Sequence, residues 1–138
     1  MSTNEHDRIL IVDDNPMFWE ALVKWLRAAG HDVITAESGE QAFVMLRDWQ
    51  HPIGWLYTRA SLPGLIDGWI LADEYHDAHS GRAVVVAAPQ ARSSRAGDII
   101  LGQPTPAAVM EVLRRQMNMH RSLPIAADAN SRQQRRAA

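Results

Sequence analysis

The sequence predicts an α/β fold: a doubly wound, five-stranded parallel sheet with helices on both faces. Two observations carry this. Five short runs rich in β-branched and aliphatic residues alternate with amphipathic stretches along the chain, the signature of strands joined by helical crossovers. The runs also lack the every-other-residue polarity of a half-solvated strand, as expected for strands buried on both faces.

The elements follow in order. Residues 8–12, R-I-L-I-V, form the first strand. Asn15 suits the N-cap and Pro16 the first turn of the helix that follows. On that helix, residues 16–29, Phe18, Leu22, Trp25 and Ala29 fall on one face, and Gly30 ends it. Residues 32–36 are the second strand. Ser38 and Gln41 form a capping box, and the helix after it places Ala42, Met45, Leu46 and Trp49 on one side. Residues 53–58 are the third strand. A Pro63-Gly64 turn leads to a helix over 67–79, then a fourth strand over 82–88 and a fifth over 98–101. Thr105 and Pro106 open a last helix with Val109, Val112, Leu113 and Met117 inward. Between the last two strands, P89-Q90-A91-R92-S93-S94-R95-A96-G97 has almost no apolar face, so a helix there is expected to be shortened or missing.

Composition narrows the function. The 138 residues fit one domain, read as residues 1–120, followed by a basic tail over 121–138 predicted to be disordered. With 14 Lys and Arg against 16 Asp and Glu the formal charge is −2, so no global basic field recruits nucleic acid or an anionic membrane. There is no cysteine, which removes disulfides, thiolate metal sites and cysteine nucleophiles. No apolar run reaches the roughly 20 residues of a membrane span, and no signal peptide is visible, so a cytoplasmic location is expected. The six histidines show no spacing that builds a metal site, and neither a metal nor another cofactor is predicted.

In parallel α/β sheets, sites lie beyond the carboxyl ends of the strands. Asp13, Asp14, Arg59, Ala88 and Gln103 all sit just past such ends. The oddity is Arg59, a cation where the buried run I-G-W-L-Y-T meets A-S-L-P-G.

The motifs I-L-I-V-D-D-N-P and L-P-G-L-I-D-G-W, the Val-rich fourth strand and a late Gln103-Pro104 resemble bacterial response-regulator receiver domains, over roughly residues 7–119. The resemblance implies a phosphotransfer site: an aspartate ending strand three accepts a phosphoryl group, an acidic pair after strand one helps hold magnesium, a hydroxyl ending strand four and a lysine before proline bind the phosphoryl oxygens, and an aromatic residue on strand five signals the change. Carried across, Asp13 and Asp14 match the acidic pair. Arg59 stands at the phosphoacceptor position, Ala88 at the hydroxyl position, Gln103 before Pro104 at the lysine position, and Ile100 at the aromatic switch position. A guanidinium stays protonated and is no phosphoryl acceptor, alanine donates no hydrogen bond, and glutamine carries no charge.

The expectation is therefore a stand-alone pseudo-receiver with a degenerate phosphorylation site and no enzymatic activity. It would act in two-component signalling through protein–protein contact, with a sensor histidine kinase, another signalling protein or a second copy. Trp19 and Val23, on a stripe beside the predicted core face of the first helix, are the candidate interface. The alternative is an active single-domain regulator phosphorylated at another residue, such as Thr58 or Ser61. A hydrolase using the acidic pair ranks last, since no nucleophile or base partner accompanies it.

Overall fold

The computed structural model describes residues 8–89 and 98–122. Five strands, β1 (Ile9–Val12), β2 (Val33–Ala36), β3 (Trp55–Arg59), β4 (Val85–Ala87) and β5 (Ile99–Leu101), form one parallel sheet in the order β2-β1-β3-β4-β5. The helices are α1 (Pro16–Ala28), α2 (Gly39–Leu46), α3 (Gly68–Ala78) and α4 (Pro106–Ser122). Strand order reverses between β1 and β3, and the crevice beyond that switch point is where such sheets carry their sites.

The predicted alternation is present, and strand ends agree within a few residues. All four side chains of β1 are fully buried, the outcome read from its unbroken apolar run. The sheet separates two cores. Ile9, Ile11, Trp55 and Tyr57 face α1 and α4, meeting Leu22, Leu26, Val109 and Leu113. Leu10, Val12, Leu56 and Val86 face α2 and α3, meeting Ala42, Leu71 and Tyr75.

Local sequence sets the helix starts. The side chains of Asn15, Ser38 and Asp67 each occupy an N-cap and accept a backbone N–H of the first turn. Gly68 opens α3 where its backbone passes against the Arg59 carbonyl, and a Cβ there would collide with it. This contact ties α3 to the end of β3. Gly64 lies at φ 92°, the left-handed region that glycine enters freely. The turn it makes brings the Leu65 N–H to 2.7 Å from the Glu40 carboxylate, fastening the β3–α3 loop to α2.

Three expectations change. The buried face of α1 is Leu22, Val23 and Leu26, not the stripe through Trp25, which is 41% exposed. Contact with the sheet and α4 selects that face, one residue over from the stripe that large side chains alone would pick. Trp49 is 82% exposed, because α2 stops at Leu46 and the chain then turns, Asp48 accepting the Gln50 N–H at 3.1 Å. The last helix continues to Ser122, past the assigned start of the tail at 121. The rest of that tail, and the segment 90–97 where a shortened or missing helix was expected, lie outside the described residues.

Burial now ranks these positions. Leu26→Ala is expected to cost roughly 2–5 kcal/mol of unfolding free energy, whereas Trp49→Ala should stay within about 0.5 kcal/mol of the unmodified protein. Urea denaturation of both variants measures the difference, and equal losses would contradict this assignment of the core.

Candidate functional site

Asp13 is the first residue beyond β1, and its side chain is only 1% exposed. Burial of a carboxylate is costly unless donors meet it. Two do: the Asn15 N–H at 2.9 Å to Oδ1 and the Tyr57 hydroxyl at 3.0 Å to Oδ2. Desolvation prevails over these bonds and over the nearby Arg59 charge, so the Asp13 carboxyl sits above its ordinary pKa of 3.8. Asp14 turns outward and is about half exposed.

Arg59 ends β3 and reaches back across the acidic pair. Its Nη1 is 3.7 Å from Asp13 Oδ1 and its Nε is 3.9 Å from Asp14 Oδ1. Both distances exceed a hydrogen bond, so the guanidinium acts here as a nearby charge, and among the described residues its donors are uncommitted. At 41% exposure it fronts the site.

Tyr57, two residues earlier on the same face of β3, was legible only as part of an apolar run. Its ring stacks on Phe18 of α1 with centroids 5.8 Å apart. Burial, with the Asp13 carboxylate beside it, pushes the phenol well above its usual pKa, so it remains a neutral donor. The signal available in sequence was general: a tyrosine in a strand buried on both faces must find an acceptor for its hydroxyl.

The parallel register corrects one assignment. Arg59 pairs with Ala87 of β4, and successive residues of a strand point to opposite faces. Ala87 packs with the Tyr57 side of the sheet, while Ala88 packs with Leu71 and Val86 on the other. The side chain facing Arg59's side at the end of β4 is therefore Ala87, not Ala88. Neither carries a hydroxyl.

Gln103 and Pro104 close the far side. Gln103 has φ 46°, in the left-handed region, uncommon for a residue with a Cβ. Together these groups enclose a cleft of about 300 Å³. Asp13 and Asn15 from the end of β1, Phe18 from α1, Tyr57 and Arg59 from β3, Ala87, Ala88 and Pro89 from the end of β4, and Gln103 and Pro104 from beyond β5 line it. Asp14 does not line it.

The remaining candidates divide. Ile100 is half-buried against the α2–α3 side of the sheet. Val23 is 6% exposed and Trp19 packs on the same core, its indole N–H buried with no acceptor among the described residues. The expected interface pair is thus inward-facing, because α1 turns this stripe onto the sheet. Thr58 is fully buried and donates to the Arg59 carbonyl at 2.9 Å, which removes it as an accessible phosphorylation site. Ser61 is exposed. Among the described residues, no group of three His, Cys, Asp or Glu side chains is placed to hold a metal ion. His76 instead meets Asp98 at 2.7 Å. No described helix is long and apolar enough to cross a membrane.

The site therefore holds two carboxylates and a cation. Among the described residues, it has no carboxylate nucleophile at the end of β3, and Ala87 and Gln103 supply neither a hydroxyl nor an ammonium across from it.

No protein-family model and no curated protein matches the chain. Solved structures do. A response regulator receiver protein from Sinorhizobium medicae WSM419 superposes with a TM-score of 0.71 at 24% identity, covering 81% of this chain and 94% of that one. A CheY-like response regulator receiver domain protein from Methanospirillum hungatei JF-1 gives 0.69 at 20%, covering 82% and 94%. The receiver domain of the hybrid histidine kinase CckA gives 0.66 at 25%, covering 79% and 97%. The five-stranded parallel sheet, its strand order and these likenesses agree: the chain has the receiver-domain fold of response regulators.

Proposed function

We propose that this receiver acts in two-component signalling without aspartyl phosphorylation, as a protein-binding module rather than an enzyme. The observation that carries the reading is Arg59. It stands at the end of β3 with its guanidinium 3.7 and 3.9 Å from the two carboxylates. A fixed positive charge occupies the ground where a divalent cation would neutralise an incoming phosphoryl group, and it replaces one of the oxygen ligands such a cation needs. Ala87 and Gln103 remove the hydroxyl and the second cation as well. The partner class is a histidine kinase or another signalling protein, or a second copy of the chain. The receiver fold within a hybrid histidine kinase is consistent with the first.

Incubation with acetyl phosphate and magnesium, followed by intact-mass measurement, tests this directly. No stable gain of a phosphoryl group is expected. A gain mapped to Ser61, the exposed hydroxyl beside Arg59, would establish the alternative of an active regulator with another acceptor. A gain anywhere in the cleft would overturn the proposal.

Arg59 as built-in counter-ion has its own measurable consequence. In double-mutant cycles read by denaturation, its coupling to the exposed Asp14 should be at most about 1 kcal/mol. Coupling to the buried Asp13 should be the larger of the two. No coupling to either residue would remove the counter-ion role.

Asp13 adds a pH dependence. Its folded carboxyl binds a proton more tightly than the unfolded chain does. That contribution to stability is fully present below the ordinary value of 3.8 and is lost as pH rises through the higher folded value. Relative to Asp13→Asn, the unmodified protein should therefore gain stability on acidification across this window. Parallel pH–stability curves for the two proteins would show that burial of Asp13 is already fully compensated.

A further inference from the structure

We propose that the cleft beyond β1, β3 and β4 is a binding site for a small carboxylate carrying a compact apolar body. The inference does not depend on whether the protein takes up phosphoryl groups. The cavity, about 300 Å³, is at the small end of ligand pockets, which run from about 300 to 1,000 Å³. Its shape comes from what the chain lacks: at the end of β4, on Arg59's side of the sheet, the methyl group of Ala87 forms a low apolar floor, and Phe18 adds apolar lining.

The polar groups specify the ligand's charge. Arg59 lines the cleft at 41% exposure, and neither of its ion pairs is short enough to be a hydrogen bond. Among the described residues its guanidinium donates to no acceptor within hydrogen-bond distance, so a planar donor array faces a space that a carboxylate matches in geometry. Gln103 also lines the cleft and carries an amide able to donate.

The acids do not reverse this preference. Asp13 is 1% exposed and its two oxygens already accept from the Asn15 N–H and the Tyr57 hydroxyl, so it competes little for the donors of Arg59, from which it stands 3.7 Å away. Asp14 lies outside the lining. A cationic ligand would meet the Arg59 guanidinium at the entrance, and a neutral one would leave its donors unanswered.

Benzoate is a suitable probe, titrated into the full chain while ¹H–¹⁵N spectra follow the Arg59 Nε–H and the Gln103 backbone. Saturable shifts are expected at both. Benzamide, which lacks the charge, and inorganic phosphate, which lacks the apolar body, should each bind more weakly by about tenfold or more. Arg59→Gln should weaken benzoate binding by a similar factor. Ala87→Leu, which fills the floor without touching the cation, should abolish it while the spectrum stays dispersed. Absence of saturable shifts at the cleft overturns the proposal. So does equal affinity for benzamide, equal affinity for phosphate, or benzoate binding unchanged in Arg59→Gln.

Discussion

Burial of β1 on both faces is the constraint on which this molecule depends. Ile9 through Val12 are inaccessible to solvent, paired with β2 on one side and β3 on the other. A strand so placed cannot end gradually. The next residue, Asp13, is still inside the protein, and its carboxylate must be answered there. The Asn15 N–H, the Tyr57 hydroxyl and the Arg59 charge all converge because of it. The site follows from a polar group forced into the crevice by the strand behind it.

Much of the fold was legible because its determinants are local. A four-residue aliphatic run, an N-cap asparagine before a proline, and a serine three residues before a glutamine fix where strands and helices begin. What was not legible depended on the neighbour across a gap. The face of α1 is the example. Phe18, Leu22, Trp25 and Ala29 make a convincing stripe in isolation, yet the sheet and α4 select Leu22, Val23 and Leu26 and leave Trp25 to solvent. Trp49 shows the same effect through helix length, since a helix ending at Leu46 carries its pattern no further.

The site divides along the same line. Spacing alone was enough to bring Asp13, Asp14, Arg59 and Gln103 to one end of the sheet, because all lie beyond strand termini. Spacing was not enough to choose between Ala87 and Ala88. Two alanines in a row give no register, and only pairing with Arg59 across β3 and β4 decides which methyl shares its face. Tyr57 was hidden for a related reason. In a strand buried on both sides a tyrosine reads as bulk, and its hydroxyl becomes a functional group only when a specific acceptor is found opposite it.

These details bear on how permanent the proposed loss of phosphotransfer would be. A single arginine at the end of β3 is a local change, reversible by one substitution. The Tyr57–Asp13 bond is not local, because it joins β3 to β1 beneath the Phe18 ring. In an apo receiver with an acidic pair and no counter-charge, like charges destabilise one another and a metal relieves them. Here the guanidinium of Arg59 lies near both carboxylates, and a backbone N–H and a phenol answer Asp13 in addition. None leaves with a ligand, and none requires one to arrive. The buried member of the pair, Asp13, is thereby answered by groups of the protein itself, and the proposed reading, a module that works through what its surface or its cleft binds, rests on that arrangement.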